Sequence, residues 1–125
     1  MKLSIVTPLG KIYEGEIKEA VFPGIEGEFG VLEGHAPLMT TLHPGVITIK
    51  TDSSEESIVI NSGFVEVTPD HVNVLVDGAQ PISGENAGDI AEAIEKAKQL
   101  IKEAADSDAL VASVEAKIES AARTI

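Results

Sequence analysis

The composition of this chain breaks at one place, and the break divides what it can fold into. All six prolines (8, 23, 37, 44, 69 and 81), all three phenylalanines, the only tyrosine and ten of the eleven glycines precede residue 85. The remainder, 85–125, holds eleven alanines and neither proline nor aromatic. Ala, Glu, Lys and Leu lose little conformational freedom in a helix, so that tail is helical material. A domain boundary is expected near Gly84, giving an N-terminal unit 1–84 and a C-terminal unit 85–125. At 125 residues the chain is about one domain long, and with 3% aromatics its core must come from Val, Ile, Leu and Ala.

Before the break, short β-branched runs alternate between apolar and polar side chains at 3–7, 17–22, 46–51, 57–60, 64–68 and 71–76. Thr51-Asp52-Ser53-Ser54-Glu55 and Thr68-Pro69-Asp70 supply hairpin turns, because Asp and Ser bond back to nearby backbone and Pro presets φ. Such close spacing predicts antiparallel pairing in a β-sandwich or barrel. Asn61-Ser62-Gly63 reads as either a bulge or a tight turn. After the break, Ile90, Ile94, Ala97, Ile101 and Ala104 form one helical stripe, and Val111, Val114, Ile118, Ala121 and Ile125 form another. Asp106-Ser107-Asp108 offers an N-cap between them, so the fold class expected is an antiparallel β-sandwich followed by an antiparallel two-helix hairpin. Stripes rich in Ala bury little area, so the hairpin is expected to hold marginally.

Charge and residue inventory exclude several kinds of chemistry. A net charge of −12 repels a phosphate backbone, so nucleic acid is not an expected partner. With no Cys there is neither a disulfide framework nor a thiolate metal site, which fits a reducing compartment. The three histidines (35, 43 and 71) form no HxxxH pair, so no metal or other cofactor is expected. His35 stands out among them, held between Gly34 and Ala36-Pro37, where a hydrogen-bonded loop histidine is the plain reading. No GxSxG elbow or triad is present. Met1–Val6 is too short for a signal peptide's apolar segment, and no apolar run approaches the roughly 20 residues that span a bilayer.

Residues 22–45, FPGIEGEFGVLEGHAPLMTTLHPG, hold five glycines, three prolines and three glutamates. The spacing Gly24-x-x-Gly27-x-x-Gly30 suggests a phosphate cradle, but no Lys or Ser/Thr follows in the required position and Glu26, Glu28 and Glu33 would repel the anion. Those carboxylates alternate with glycines in what reads as a solvent-facing loop, without the apolar pocket that acid–base catalysis needs. The glycines are expected to serve positive φ angles or close backbone approach.

The same stretch resembles a known family. Phe22-Pro23-Gly24, Gly27-Glu28-Phe29-Gly30-Val31-Leu32, Gly34-His35-Ala36-Pro37-Leu38 and Pro44-Gly45 are similar to the signature of the epsilon subunit of rotary F-type ATP synthases. The likeness continues through Ser62-Gly63-Phe64-Val65-Glu66-Val67 and Val72–Asp77 into the two-helix tail, so it covers essentially the whole chain. It implies a non-catalytic subunit of the central stalk, with the sandwich packed on the gamma subunit and one end on the c-ring. Such a subunit is peripheral, on the cytoplasmic face of the bacterial membrane, and meets the membrane only through the complex. By alignment the resemblance nominates Glu28 as a c-ring contact, with Glu26 and His35 nearby. It also implies a tail that lies folded or extends toward the catalytic alpha/beta hexamer, where Lys117 and Arg123 are the basic residues left to make contact.

Many bacterial relatives bind ATP through an I/L-D-x-x-R-A motif. Here Gly88-Asp89-Ile90-Ala91-Glu92-Ala93 aligns with it, so Asp89 and Ala93 match while Glu92 replaces the arginine. Exchanging a phosphate-pairing cation for an anion predicts severely weakened nucleotide binding. Two other readings stand beside the rotor subunit: an ATP-sensing module, and a free-standing sandwich protein with a small ligand.

Overall fold

The computed structural model of the chain describes residues 1–82, 87–104, 112 and 114–119. Gly84, the Asp106-Ser107-Asp108 cap, Val111, Ala121, Arg123 and Ile125 lie outside the described residues, as do the side chains of Asp89, Ile90 and Ala104.

Ten strands precede the helical part: β1 (Lys2–Thr7), β2 (Gly10–Glu16), β3 (Glu19–Gly24), β4 (Gly27–Leu32), β5 (Leu38–Leu42), β6 (Gly45–Lys50), β7 (Glu55–Ile60), β8 (Gly63–Val67), β9 (His71–Val76) and β10 (Ala79–Pro81). Their hydrogen-bonded order is β10-β7-β6-β3-β5-β8-β9-β1-β2, with β4 on β3. The path has one weak link, since β3 and β5 share only the pair Gly24 and Leu42. There the sheet turns a corner and becomes two layers, β4-β3-β6-β7-β10 and β5-β8-β9-β1-β2. Their inward faces bury Leu3, Ile5, Phe22, Val31, Ile47, Ile60, Val65 and Val74 completely in one cluster.

Each expected run falls in a strand, with ends displaced by a few residues, and Ile17 instead lies in the link before β3, donating its N–H to the Met1 carbonyl at 2.8 Å. Both expected hairpin turns are present. Thr51 Oγ1 accepts from the Ser53 and Ser54 amides between β6 and β7, and Thr68 Oγ1 accepts from the His71 amide between β8 and β9. Asn61-Ser62 is a link that carries the chain from one layer to the other.

Two expectations need correction. Pairing is not wholly antiparallel: β1 inserts between β2 and β9 and runs parallel to β9, Ser4 beside Asn73. No local turn joins β1 to β9, so their relative direction is set by the topology of the layer. The supposed loop around Glu26 and Glu28 is also mostly strand, a β3–β4 hairpin whose turn is Ile25-Glu26. Gly27, at φ 135°, makes that tight reversal possible.

The helix α1 (Ala87–Ala104) and a second helical segment at 114–119 cover the outward side of the first layer. Ala97, Ile101, Val114 and Ile118 pack with Val46 of β6, Val59 of β7 and Ile82, with Ile94 and Leu100 at the margin. Val46 and Val59 are cross-strand partners, so the helices sit on one apolar step of the sheet. Lys98 Nζ meets Glu119 Oε1 at 2.7 Å and ties the two helical segments together.

Candidate functional site

The second layer presents the more informative surface. Along β8 the buried side chains are Val65 and Val67, so Phe64 and Glu66 point outward. Along β9 Val72, Val74 and Val76 are buried, which turns Asn73 and Leu75 outward. Cross-strand register then aligns Phe64 with Leu75, and Leu75 with Val6 of β1, in one row across three neighbouring strands. Leu75 is 59% exposed, and Met39 on the adjoining β5 is 62% exposed. Leu9, at the tip of the β1–β2 turn, is fully exposed. Beside the row lies a cleft of about 310 Å³ lined by Val6, Thr7, Pro8, Leu75, Val76 and Asp77.

Isolated exposed apolar residues need no explanation, but a contiguous row on a sheet face does. The two layers are also treated unequally. Among the described residues, helices cover the outward apolar step of the first layer, and nothing covers that of the second. The row's signal is present in the sequence, because Phe64 shares parity with polar Glu66 and Leu75 with polar Asn73, yet sequence reasoning passed over both residues.

The second surface is the β3–β4 tip. Glu26 and Glu28 line a shallow cleft of about 310 Å³ with Gly24, Gly27, Phe29, Leu38 and Thr40. Gly24 is required there: a Cβ at that position would lie 2.7 Å from the Gly27 carbonyl oxygen and 2.8 Å from the Phe29 ring. Phe29 points inward and packs on Phe22 with ring centroids 5.7 Å apart, which leaves Glu28 on the outward side. Glu28 Oε2 accepts a hydrogen bond from Lys117 Nζ at 3.0 Å, and both side chains are half-exposed.

His35 does not line this cleft. Its Nδ1 donates to the neighbouring Ala36 carbonyl at 2.6 Å, the hydrogen-bonded loop arrangement its sequence setting suggests. His43 does the same with the Pro44 carbonyl at 2.8 Å. His71 Nδ1 lies 2.9 Å from both Thr68 Oγ1 and Asp70 Oδ1, and the hydrogen bonds from His71 and Thr68 hold the Asp70 carboxyl below its usual range. On α1, Asp89 stands in the first turn and Ala93 is buried, while exposed Glu92 pairs with Lys96 at 3.1 Å. No described helix is long and apolar enough to cross a membrane.

Comparison with known proteins gives a consistent picture. Residues 1–82 match the family model described as "ATP synthase, Delta/Epsilon chain, beta-sandwich domain". Over its full length the chain is 50% identical to the ATP synthase epsilon chain of a Nitratiruptor species, covering 98% of that protein. It is 48% identical to that of Helicobacter acinonychis (strain Sheeba), over 96% of this chain and 97% of the other. Among solved structures, the fold resembles a chain of the Euglena gracilis mitochondrial ATP synthase (OSCP/F1/c-ring), with a TM-score of 0.61 and 24% identity over 95% of this chain and 72% of that one. It also resembles a chain of the Tetrahymena thermophila mitochondrial ATP synthase central stalk and c-ring, with a TM-score of 0.57 and 13% identity over 83% and 95% of the two chains.

Proposed function

The chain belongs to the ATP synthase epsilon family, and on that premise we propose how it works: it docks on the gamma subunit through the outward face of β5-β8-β9-β1, and its β3–β4 tip rests on the c-ring. Rotation of the ring then reaches gamma through a rigid sandwich, and the chain itself performs no catalysis. It sits on the cytoplasmic face of a bacterial membrane, held there by the complex.

One observation carries the reading, the row Phe64-Leu75-Val6, with Met39 on the adjoining strand, on a sheet face that no described residue covers. A few well-packed side chains near the centre of a protein interface supply most of its energy. The chain's net charge of −12 and the carboxylates Glu66 and Asp77 around the row favour a basic partner surface. Mixing the full chain with isolated gamma and following co-elution by size-exclusion chromatography tests the reading. A one-to-one complex is expected, and separate elution at micromolar concentration would count against it.

At the tip, Glu28 and Glu26 are the proposed ring contacts, because they share one cleft; His35 is a weaker candidate. The division near Gly84 is likewise part of the proposal, with 1–84 as the docking unit and 85–125 as a regulatory unit. If the tail extends toward the catalytic hexamer, Lys117 and Arg123 are the basic residues it brings. That is a sparse set, so deleting 85–125 is expected to leave ATP hydrolysis by the assembled complex nearly unchanged. A large rise on deletion would show that the tail inhibits after all.

The ATP-sensing reading is disfavoured by Glu92, whose carboxylate occupies the aligned arginine position and already pairs with Lys96. Calorimetric titration of the isolated chain with ATP to near-millimolar levels is expected to show no saturable heat. A saturable isotherm would restore a nucleotide site around Asp89 and Ala93.

A further inference from the structure

Taking the reading of Glu28 as a ring contact, we infer that this carboxylate is a shared seat: Lys117 occupies it while the helices are docked, and a partner at the β3–β4 tip must displace that lysine. The two residues are 89 apart in sequence and come from elements with different roles. Among the described residues, theirs is the one ion pair that joins the helical part to the sheets.

Two surfaces converge on this carboxylate. Val114 and Ile118 bury their side chains in the cluster on Val46, Val59 and Ile82, and Lys117, three residues from the first and adjacent to the second, emerges at the edge of that face. Glu28 emerges from the sheet at the tip, directly opposite Pro23, and forms one wall of the cleft with Glu26, Leu38 and Thr40. A cationic group that enters the cleft and pairs with Glu28 competes with the Lys117 ammonium for the charge of that one carboxylate.

Among the described residues, the second helical segment is tied to α1 by Lys98–Glu119 and to the first layer by its apolar anchors and the Lys117–Glu28 pair. Val114 and Ile118 are its two fully packed apolar anchors among the described residues, so a single ion pair is a noticeable share of its docking. Both partners are half-exposed, which limits the pair to about a two- to fivefold effect on the docking equilibrium. Competition is reciprocal: if docked helices weaken ring attachment by some factor, ring attachment loosens the helices by the same factor.

Hydrogen exchange of the full chain, alone and assembled with gamma and the c-ring, reads the helix arm, and attachment affinity reads the ring arm. In the free chain, E28Q and K117M are each expected to speed exchange across 114–119 about two- to fivefold, and the reversed pair E28K/K117E to restore protection. Assembly of the wild-type chain is expected to speed exchange there to a similar degree. K117M is expected to tighten ring attachment by the reciprocal factor, and E28Q to weaken it. If E28Q weakens attachment but K117M leaves it unchanged and assembly leaves 114–119 protected, the shared seat is wrong while Glu28 remains a ring contact. Unchanged attachment in E28Q would remove the ring contact itself, and the inference with it.

Discussion

Replacing Phe64 and Leu75 together by glutamate is expected to weaken attachment to gamma by at least about a hundredfold while leaving the free chain folded. In the free protein both side chains already face solvent, Phe64 at 37% and Leu75 at 59% exposure, so carboxylates there stay hydrated. Surface changes of this kind usually alter stability by no more than about 0.5 kcal/mol. In the complex the same carboxylates would be driven into a dry interface, which is costly without a paired cation. Truncating one central anchor commonly costs about 2 kcal/mol, and two such losses exceed the roughly 2.8 kcal/mol that separates a hundredfold change. Surface plasmon resonance with immobilised gamma gives the affinity, and circular dichroism confirms the fold. An affinity within threefold of wild type would place the gamma contact elsewhere.

The second large effect concerns the corner where the layers meet. Gly63 opens β8 directly against β9, and a Cβ there would strike the Leu75 carbonyl oxygen, with Val76 Cγ1 at 2.6 Å and Val76 Cα at 3.1 Å. These neighbours include backbone of the adjoining strand, which cannot swing aside. Gly63→Val is therefore expected to cost about 3 kcal/mol or more, the upper end of overpacking penalties. For a chain of this length that lowers the melting temperature by roughly 10 °C. Gly30→Ala is the matched control: nothing lies within 4 Å of a Cβ there and its φ is not positive, so its melting temperature is expected to stay near wild type. Equal melting temperatures for the two variants would contradict the close approach of β8 and β9 at this corner.

Much of the fold was legible because its inward faces are nearly pure. Val65 and Val67, or Val72, Val74 and Val76, announce a strand through alternation alone, and Ala97 and Ile101 announce a helix by spacing. β2 escaped notice because it is an edge strand whose Ile12 and Tyr13 are only partly buried, so its side chains need no apolar alternation. β4 and β5 lie in the Gly- and Pro-rich stretch, where turn residues mask the period: Gly27 and Gly30 occupy β4 positions that carry no side chain to read. The parallel neighbour of β9 could not be found locally, since β1 lies about 70 residues away and no turn between them marks the pairing.

The candidate surfaces were legible in proportion to how local their signals are. Glu26 and Glu28 stood out as exposed carboxylates, and family resemblance gave Glu28 a role. That Lys117 reaches Glu28 depends on how the tail folds back on the first layer, a tertiary fact with no sequence period. Phe64 and Leu75 carried a readable parity signal, but hydrophobic residues in a strand are ordinarily assigned to the core, and only register shows which face they occupy.

Everything proposed for the rotor turns on which side of the sandwich meets gamma, and hydrogen exchange on the complex of the full chain with gamma addresses that most directly. Slowed exchange is expected in β8 (63–67), β9 (71–76) and the β1–β2 turn on binding, with β6, β7 and α1 unchanged. Protection confined to α1 and the β6–β7 layer, with β8 and β9 exchanging as in the free chain, would contradict it.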